Sequence, residues 1–248
     1  MPGLGEEPAD IARHGRLSPD YAEASVRPSQ TNSQPVGTAG RLGADYQQAV
    51  ADFLENPSAR SRVILDECFD RHWAGWPDDP LRDARRIENG YHLPAPRDNQ
   101  FVAIGAPVGS ALRDVLVGAT FRKLGGPAGG TCGLLLRDRG PGPRDGRNQS
   151  GRYYVAQVDD QGAVCIWRRD QDRWIELVPW TRCEAVQPGE SANDLSFEVV
   201  GGRLSLMVNG RAAATTSDAI LDRGGVGLFV AGNGNDLLVD RFVVQVLD

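Results

Sequence analysis

A dense group of acids in this chain is the run ILDECFD, in which Asp66, Glu67 and Asp70 fall within five residues. Hydrolysis of a glycosidic bond needs a general acid and a second carboxylate roughly 5 to 9.5 Å apart. Same-face residues of one strand lie about 6.6 Å apart, so acids at alternate strand positions would serve. Asp66, Glu67 and Asp70 do not have that spacing, and no run of the form Glu-x-Asp-x-x-Glu occurs anywhere in the sequence. Acids in a first strand and its exit instead read as charge that resists unwanted sheet-to-sheet pairing. Nucleophilic chemistry has no better footing. There is no Gly-x-Ser-x-Gly elbow, and neither His72 nor His92 stands in a context suggesting a triad. Three histidines in all, with no tract among them, offer few ligands for a metal, and none is assigned. The four cysteines, Cys68, Cys132, Cys165 and Cys183, follow no CxxC spacing. They read as reduced thiols packed like small hydrophobes rather than as a zinc or redox motif. No cofactor is implied.

What remains is binding chemistry. Trp73 and Trp76 stand in a loop, residues 72–80, with Asp78 and Asp79 close by. Aromatic rings beside acids suit a ligand with an apolar face and hydroxyl groups, although one tryptophan plugging the end of a core explains the same pattern. Arg137, Asp138 and Arg139 lead into the polar loop GPGPRDGRNQS, residues 140–150, which carries Arg144. A long polar loop on a rigid scaffold often carries binding, and its arginines would meet a carboxylate-bearing partner; a solvated insertion is the plainer alternative. Asn235, in GNGND, offers an oxygen to a cation or else makes a turn before a strand. The net charge of −6 disfavours a nucleic-acid partner, since such affinity rests on clustered Lys and Arg.

The elements that position these residues are strands. Residues 1–58 stand apart: 18–40 are rich in Ser, Pro, Gln and Asn with little to bury, reading as a flexible tether. Short helical candidates flank it at 6–13 and at 44–54, where Tyr46, Val50, Phe53 and Leu54 recur at helical spacing. From residue 59 to 248 the period becomes two, as in a strand with one buried face. Strands are expected at 115–124, 132–138, 152–158, 163–169, 194–200, 203–210, 225–232 and 236–246. In DLSFEVV, Leu195, Phe197 and Val199 share one face; in RLSLMV, Leu204, Leu206 and Val208 do. Turns at 159–162, at Gly201-Gly202 and at Asn209-Gly210 suit hairpins. Strands without helical crossovers make an all-β, two-sheet antiparallel sandwich. The final strand is expected to pair with an early one near 63–69. No segment has the length and apolarity of a membrane span, and the start lacks a secretory pattern. Membrane insertion is therefore not expected. The expected location is cytoplasmic, or extracellular if the chain is a fragment of a larger protein.

The order of motifs VILDECFD, IENGYHL, GLLLRD, RYYVAQVDDQGAVCIWRR, Trp-x-x-Leu, NDLSFEVVGGRLSLMVNG, GGVGLFVAGN and DRFVV resembles the concanavalin A-like, laminin-G-like jelly-roll superfamily across residues 62–246. The resemblance implies two curved antiparallel sheets, with ligands met on the concave sheet or on loops at one rim. It also implies that Trp174 packs across a hairpin. Alternation puts Trp167 with Cys165, on the face opposite Val164 and Ile166, which makes Trp167 a candidate concave-face residue. The superfamily holds lectins, adhesion and sensor modules, and glycosidases. A more distant likeness to its 3-keto-disaccharide hydrolases runs through Leu135-Leu136-Arg137 and residues 153–160. It breaks where their Asn-Ser-Gly is replaced by Gly130-Thr131-Cys132-Gly133. The expectation is a non-catalytic module that recognises a glycan or a protein surface. The alternatives are a divergent hydrolase of 3-keto-glycosides or β-glucans, and a structural subunit of a larger complex.

Overall fold

A computed structural model describes residues 61–70, 75–78, 84–88, 90–95, 100–109, 111–140 and 151–247, and the backbone of 12–16. The candidate helix at 44–54 lies outside them. Of the one at 6–13, Ala12 and Arg13 belong to a strand, so no helix reaches them.

Among the described residues fifteen strands form two antiparallel sheets, as the alternation requires. In chain order they are β1 (Ala12–Arg16), β2 (Ser61–Glu67), β3 (Arg85–Ile87), β4 (Gly90–Pro94), β5 (Gln100–Gly105), β6 (Val115–Gly125), β7 (Thr131–Asp138) and β8 (Gly151–Asp159). There follow β9 (Ala163–Gln171), β10 (Arg173–Arg182), β11 (Asn193–Val200), β12 (Arg203–Val208), β13 (Arg211–Ser217), β14 (Gly225–Ala231) and β15 (Asp236–Leu247). One sheet has seven strands in the order β1-β5-β14-β7-β8-β9-β10. The other has the order β13-β12-β11-β6-β15-β4-β3, with β2 also paired to β15. The last strand does pair with the early one: Phe242 to Leu247 of β15 oppose Glu67 to Ser61. β4 takes the same side of β15 further along, at Asp236 to Val239, while β6 covers the other side.

The core lies between the sheets. On β11 the residues Leu195, Phe197 and Val199 are buried, and they stand in register with Val208, Leu206 and Leu204 of β12. From the facing sheet come Leu134 and Leu136, Tyr154 and Ala156, Val164 and Ile166, and Leu228 and Val230. Each large side chain buried here contributes about 1.5 to 3 kcal/mol, and that repeated burial fixes the register. Close strand contact adds a second constraint: a Cβ on Gly227 would lie 2.0 Å from the carbonyl oxygen of Ile104. Among the described residues no helix is long and apolar enough to cross a membrane.

Candidate functional site

Trp76 is 6% exposed and sits in the core. Its ring lies 5.3 Å from Phe69, 5.4 Å from Tyr91 and 5.2 Å from Phe242, so it plugs one end of the sandwich. Asp78, in the same loop, accepts the backbone N–H of Arg86. Trp73 and Asp79 lie outside the described residues, as does Arg144. Asn235 is turned inward as well. Its amide nitrogen donates to the carbonyls of Thr131 and Ala231, tying β7 to β14, and Gly130 is so close that a Cβ there would meet the Asn235 amide at 2.3 Å.

Arg137, next to last in β7, has a φ of 52° and is buried. Its Nε donates to the Arg113 carbonyl (3.1 Å), Nη1 to that of Leu221 (2.6 Å) and Nη2 to that of Gly201 (2.6 Å); Asp114 lies 3.4 Å from Nη2. Burial pulls the guanidinium below its ordinary pKa, opposed by the nearby Asp114 and Asp222. Three connecting segments that arrive from distant parts of the chain are thereby held at one rim of the sandwich. Arg137 therefore builds the rim from beneath.

The next residue, Asp138, is 8% exposed and lines a cleft of 680 Å³. Its lining comes from the end of β5 (Gly105, Ala106), the end of β7 (Asp138, Arg139) and the segment leading into β14 (Asp222, Arg223). Arg139 bonds Asp222, which Arg223 also reaches at 3.3 Å. These two guanidinium groups hold the Asp222 carboxyl below the usual carboxylate range, against the burial that would raise it. Asp138 accepts the Gly140 N–H through Oδ1, fixing the start of the 140–150 loop beside the cleft. Carboxylate acceptors, guanidinium donors and exposed backbone over glycines are the groups a hydroxyl-rich ligand uses.

The outer face of the seven-stranded sheet is different. Cys165 and Trp167 do lie opposite Val164 and Ile166, but this face is buried: Phe101, Leu135, Tyr153, Val155, Cys165, Trp167, Trp174 and Phe229 form a second apolar cluster. β5 and β10 are five strand positions apart, roughly 24 Å along the sheet. Even so, the ring of Phe101 on β5 lies 5.5 Å from that of Trp174 on β10, and Trp174 lies 6.1 Å from both Phe229 and Tyr153. Only a strongly curled sheet brings them together, so this face is concave. β10 pairs with β9 through two register shifts, between Glu176 and Val178 and between Val178 and Thr181, and such bulges sharpen bending. Trp174 thus packs across the whole sheet, beyond the hairpin neighbour expected of it. Burial holds the thiol of Cys165 far above its ordinary pKa, which keeps it protonated.

Arg169 lies in this cluster, 3% exposed, its guanidinium carbon 4.8 Å from the Trp174 ring and 5.9 Å from that of Phe101. Nε and Nη1 make no hydrogen bond. Desolvating such a cation costs several kcal/mol, and contact with aromatic faces returns only about 2 kcal/mol. Sequence reasoning missed Arg169, although the signal was present: it shares the alternation of Cys165 and Trp167. Phe101 could not be found because β5 is short, and Asp222 and Arg223 have no periodic pattern at all.

Other carboxylates are engaged. Asp66 is held by Arg241 at 2.7 and 2.8 Å, while Glu67 accepts the Phe69 N–H. Asp218 pairs with Arg168 and accepts the Tyr154 hydroxyl at 2.7 Å; burial, then Asp218, pushes the Tyr154 pKa up to about 12. Asp160 pairs with Lys123 and Asp236 with His92. The cysteines form no disulfide. Among the described residues no three His, Cys, Asp or Glu side chains gather as a metal site would need.

No protein-family model and no curated protein matches the sequence. Solved structures do match in shape. A Bacillus subtilis protein of unknown function with a galectin-like fold superposes with a TM-score of 0.58 at 11% identity, covering 76% of this chain and 99% of that one. The κ-carrageenase of Pseudoalteromonas carrageenovora, in complex with an oligotetrasaccharide of κ-carrageenan, gives 0.54 at 7% identity, covering 77% and 97%. The potassium-bound carbohydrate recognition domain of Emp46p gives 0.51 at 14%, covering 68% and 87%. At these identities the likeness speaks to the fold.

Proposed function

On this concanavalin A-like jelly-roll fold, we propose that the chain is a non-catalytic module that binds a glycan at the rim of its seven-stranded sheet. The observation that carries the reading is the open cleft in which Asp138, Arg139, Asp222 and Arg223 surround exposed backbone. Arg137 fixes Leu221, the residue before Asp222 of the lining, so little order has to be created when a ligand arrives. The folds it resembles include a carbohydrate recognition domain and an enzyme caught with an oligosaccharide. Ion pairing of Asp66, Asp160, Asp218 and Asp222 argues against hydrolysis, since a general acid must be free to exchange its proton with the substrate. Asp138 and Asp222 accept sugar hydroxyl protons in this reading, and Arg139 and Arg223 donate to sugar oxygens.

The test is a glycan array followed by calorimetry on the full chain. Retention of a saccharide, weakened roughly tenfold or more by Asp222→Ala, is the expected result, a factor equal to about 1.4 kcal/mol. Incubation with β-glucans and 3-keto-glycosides should release no reducing ends. Failure to retain any saccharide, or clear turnover lost on Asp138→Asn, would overturn the proposal.

A further inference from the structure

Two buried arginines in one small domain have opposite surroundings. Arg137 donates to three carbonyls and lies near Asp114, and its place in the fold is explained by them. Arg169 is as deeply buried, yet Nε and Nη1 have no partner. Among the described residues the titratable groups acting on it are Tyr153, its register partner on β8, and Asp172, and no ion pair joins Asp172 to it. A buried cation without an anion is a standing destabilisation, and native proteins pair or coordinate such charges. Among the described residues no anion pairs with Arg169, and a bound ligand is a natural source of one.

Resting on the reading of the chain as a glycan-binding module, we propose that its saccharide is acidic and that Arg169 meets the anionic group on the concave face. The register supports this placement. Tyr153, Arg169 and Trp174 stand in one row across β8, β9 and β10, at the end of the sheet where β7 and β14 reach Asp138 and Gly225 of the rim cleft. A saccharide seated in the cleft thus lies at the same end of the sheet as the guanidinium. The guanidinium is packed against the rings of Trp174 and Phe101, and rings of this kind take the apolar face of a pyranose. Planar guanidinium groups are the side chains of choice for carboxylates and for tetrahedral oxyanions such as sulfate esters. Because Arg169 is 3% exposed, entry requires the Phe101–Trp174 contact to part. Binding will consequently change tryptophan fluorescence.

Two measurements on the full chain test the inference. The first needs no ligand: Arg169→Met removes an unpartnered buried charge while keeping an apolar stem, so the thermal midpoint stays constant or rises by roughly 2 to 4 °C. A fall of more than roughly 4 °C would show that the guanidinium already stabilises the fold where it sits, and would overturn the inference. The second compares oligogalacturonate and hyaluronan fragments with their methyl-esterified forms, and sulfated with unsulfated oligosaccharides, by calorimetry and tryptophan fluorescence. The expected result is a preference of roughly tenfold or more for one charged form, abolished in Arg169→Gln. Which charged form wins distinguishes carboxylate from sulfate. Equal binding of charged and neutral forms, unaltered in Arg169→Gln, sinks the acidic ligand and leaves the glycan-binding module standing. Absence of binding to any saccharide sinks both.

Discussion

Replacing Arg137 with methionine keeps most of the side chain's apolar stem and deletes every donor. Three carbonyls, of Arg113, Gly201 and Leu221, lose a charged hydrogen-bond partner at 2.6 to 3.1 Å. Such bonds contribute about 1.5 to 3 kcal/mol each, but methionine also relieves the burial of a charge, so the net loss falls below the simple sum. Breaking a buried charge network typically costs about 3 to 5 kcal/mol, a large share of a total stability of roughly 5 to 15 kcal/mol. In a domain of this size each kcal/mol moves the thermal midpoint by roughly 2 to 4 °C, so Arg137→Met should melt roughly 6 to 20 °C lower. Urea unfolding should show a lower midpoint with an unchanged slope, since the surface exposed on unfolding stays the same. A loss below about 1 kcal/mol would refute the idea that one guanidinium holds the rim together. Saccharide binding should weaken in the same variant, because Leu221 leads directly into Asp222 and Arg223 of the cleft.

Further outcomes follow from the same geometry. Trp76→Ala empties the contact between Phe69, Tyr91 and Phe242 and should cost about 3 to 5 kcal/mol in urea unfolding. Asp66→Asn should cost less than about 1 kcal/mol at neutral pH, because the Arg241 pair is solvent-exposed. Its hydrogen bonds to Arg241 lower the folded pKa of Asp66, so the stabilisation is present above the ordinary carboxylate value and disappears as pH falls through the lowered one. Stability curves of the two proteins should therefore converge in acid. Glu198 behaves oppositely: burial raises its pKa, only partly countered by Arg203. Its ionised form is a penalty above that raised value, so Glu198→Gln should be more stable than the parent at pH 7, and the gain should shrink on acidification.

The inner face of the sandwich was readable residue by residue. Leu195, Phe197 and Val199 face Val208, Leu206 and Leu204 because strand alternation is strict and one side must be dry. The strands β1, β3, β4, β5 and β13 escaped: β3 is too short to show a period, and the small residues of RAAATTS in β13 give its two faces little contrast. Trp167 shows where local reasoning stops. Its face follows from parity, but its burial depends on a sheet curled until Phe101 and Trp174 touch, a property of the whole sheet and of the bulges in β10. Arg137 and Asn235 have polar side chains that sequence alone sends to solvent. Each turns inward because backbone carbonyls from two or more segments converge on it. Asp138, the adjacent residue, is 8% exposed and lines the rim cleft.

The place of β15 between β6 on one side and β2 with β4 on the other bears on how the protein is made. The other described strands, β2, β4 and β6 among them, precede it along the chain, so a ribosome has delivered both flanks of that gap before the filler exists. Until residues 236–247 emerge, β2 and β4 have nowhere to dock in the larger sheet, and the edge of β6 stays bare. Assembly of that sheet therefore waits on residues 236–247. During the wait an unpaired apolar edge is exposed, the kind of surface that chaperones hold and that aggregates recruit.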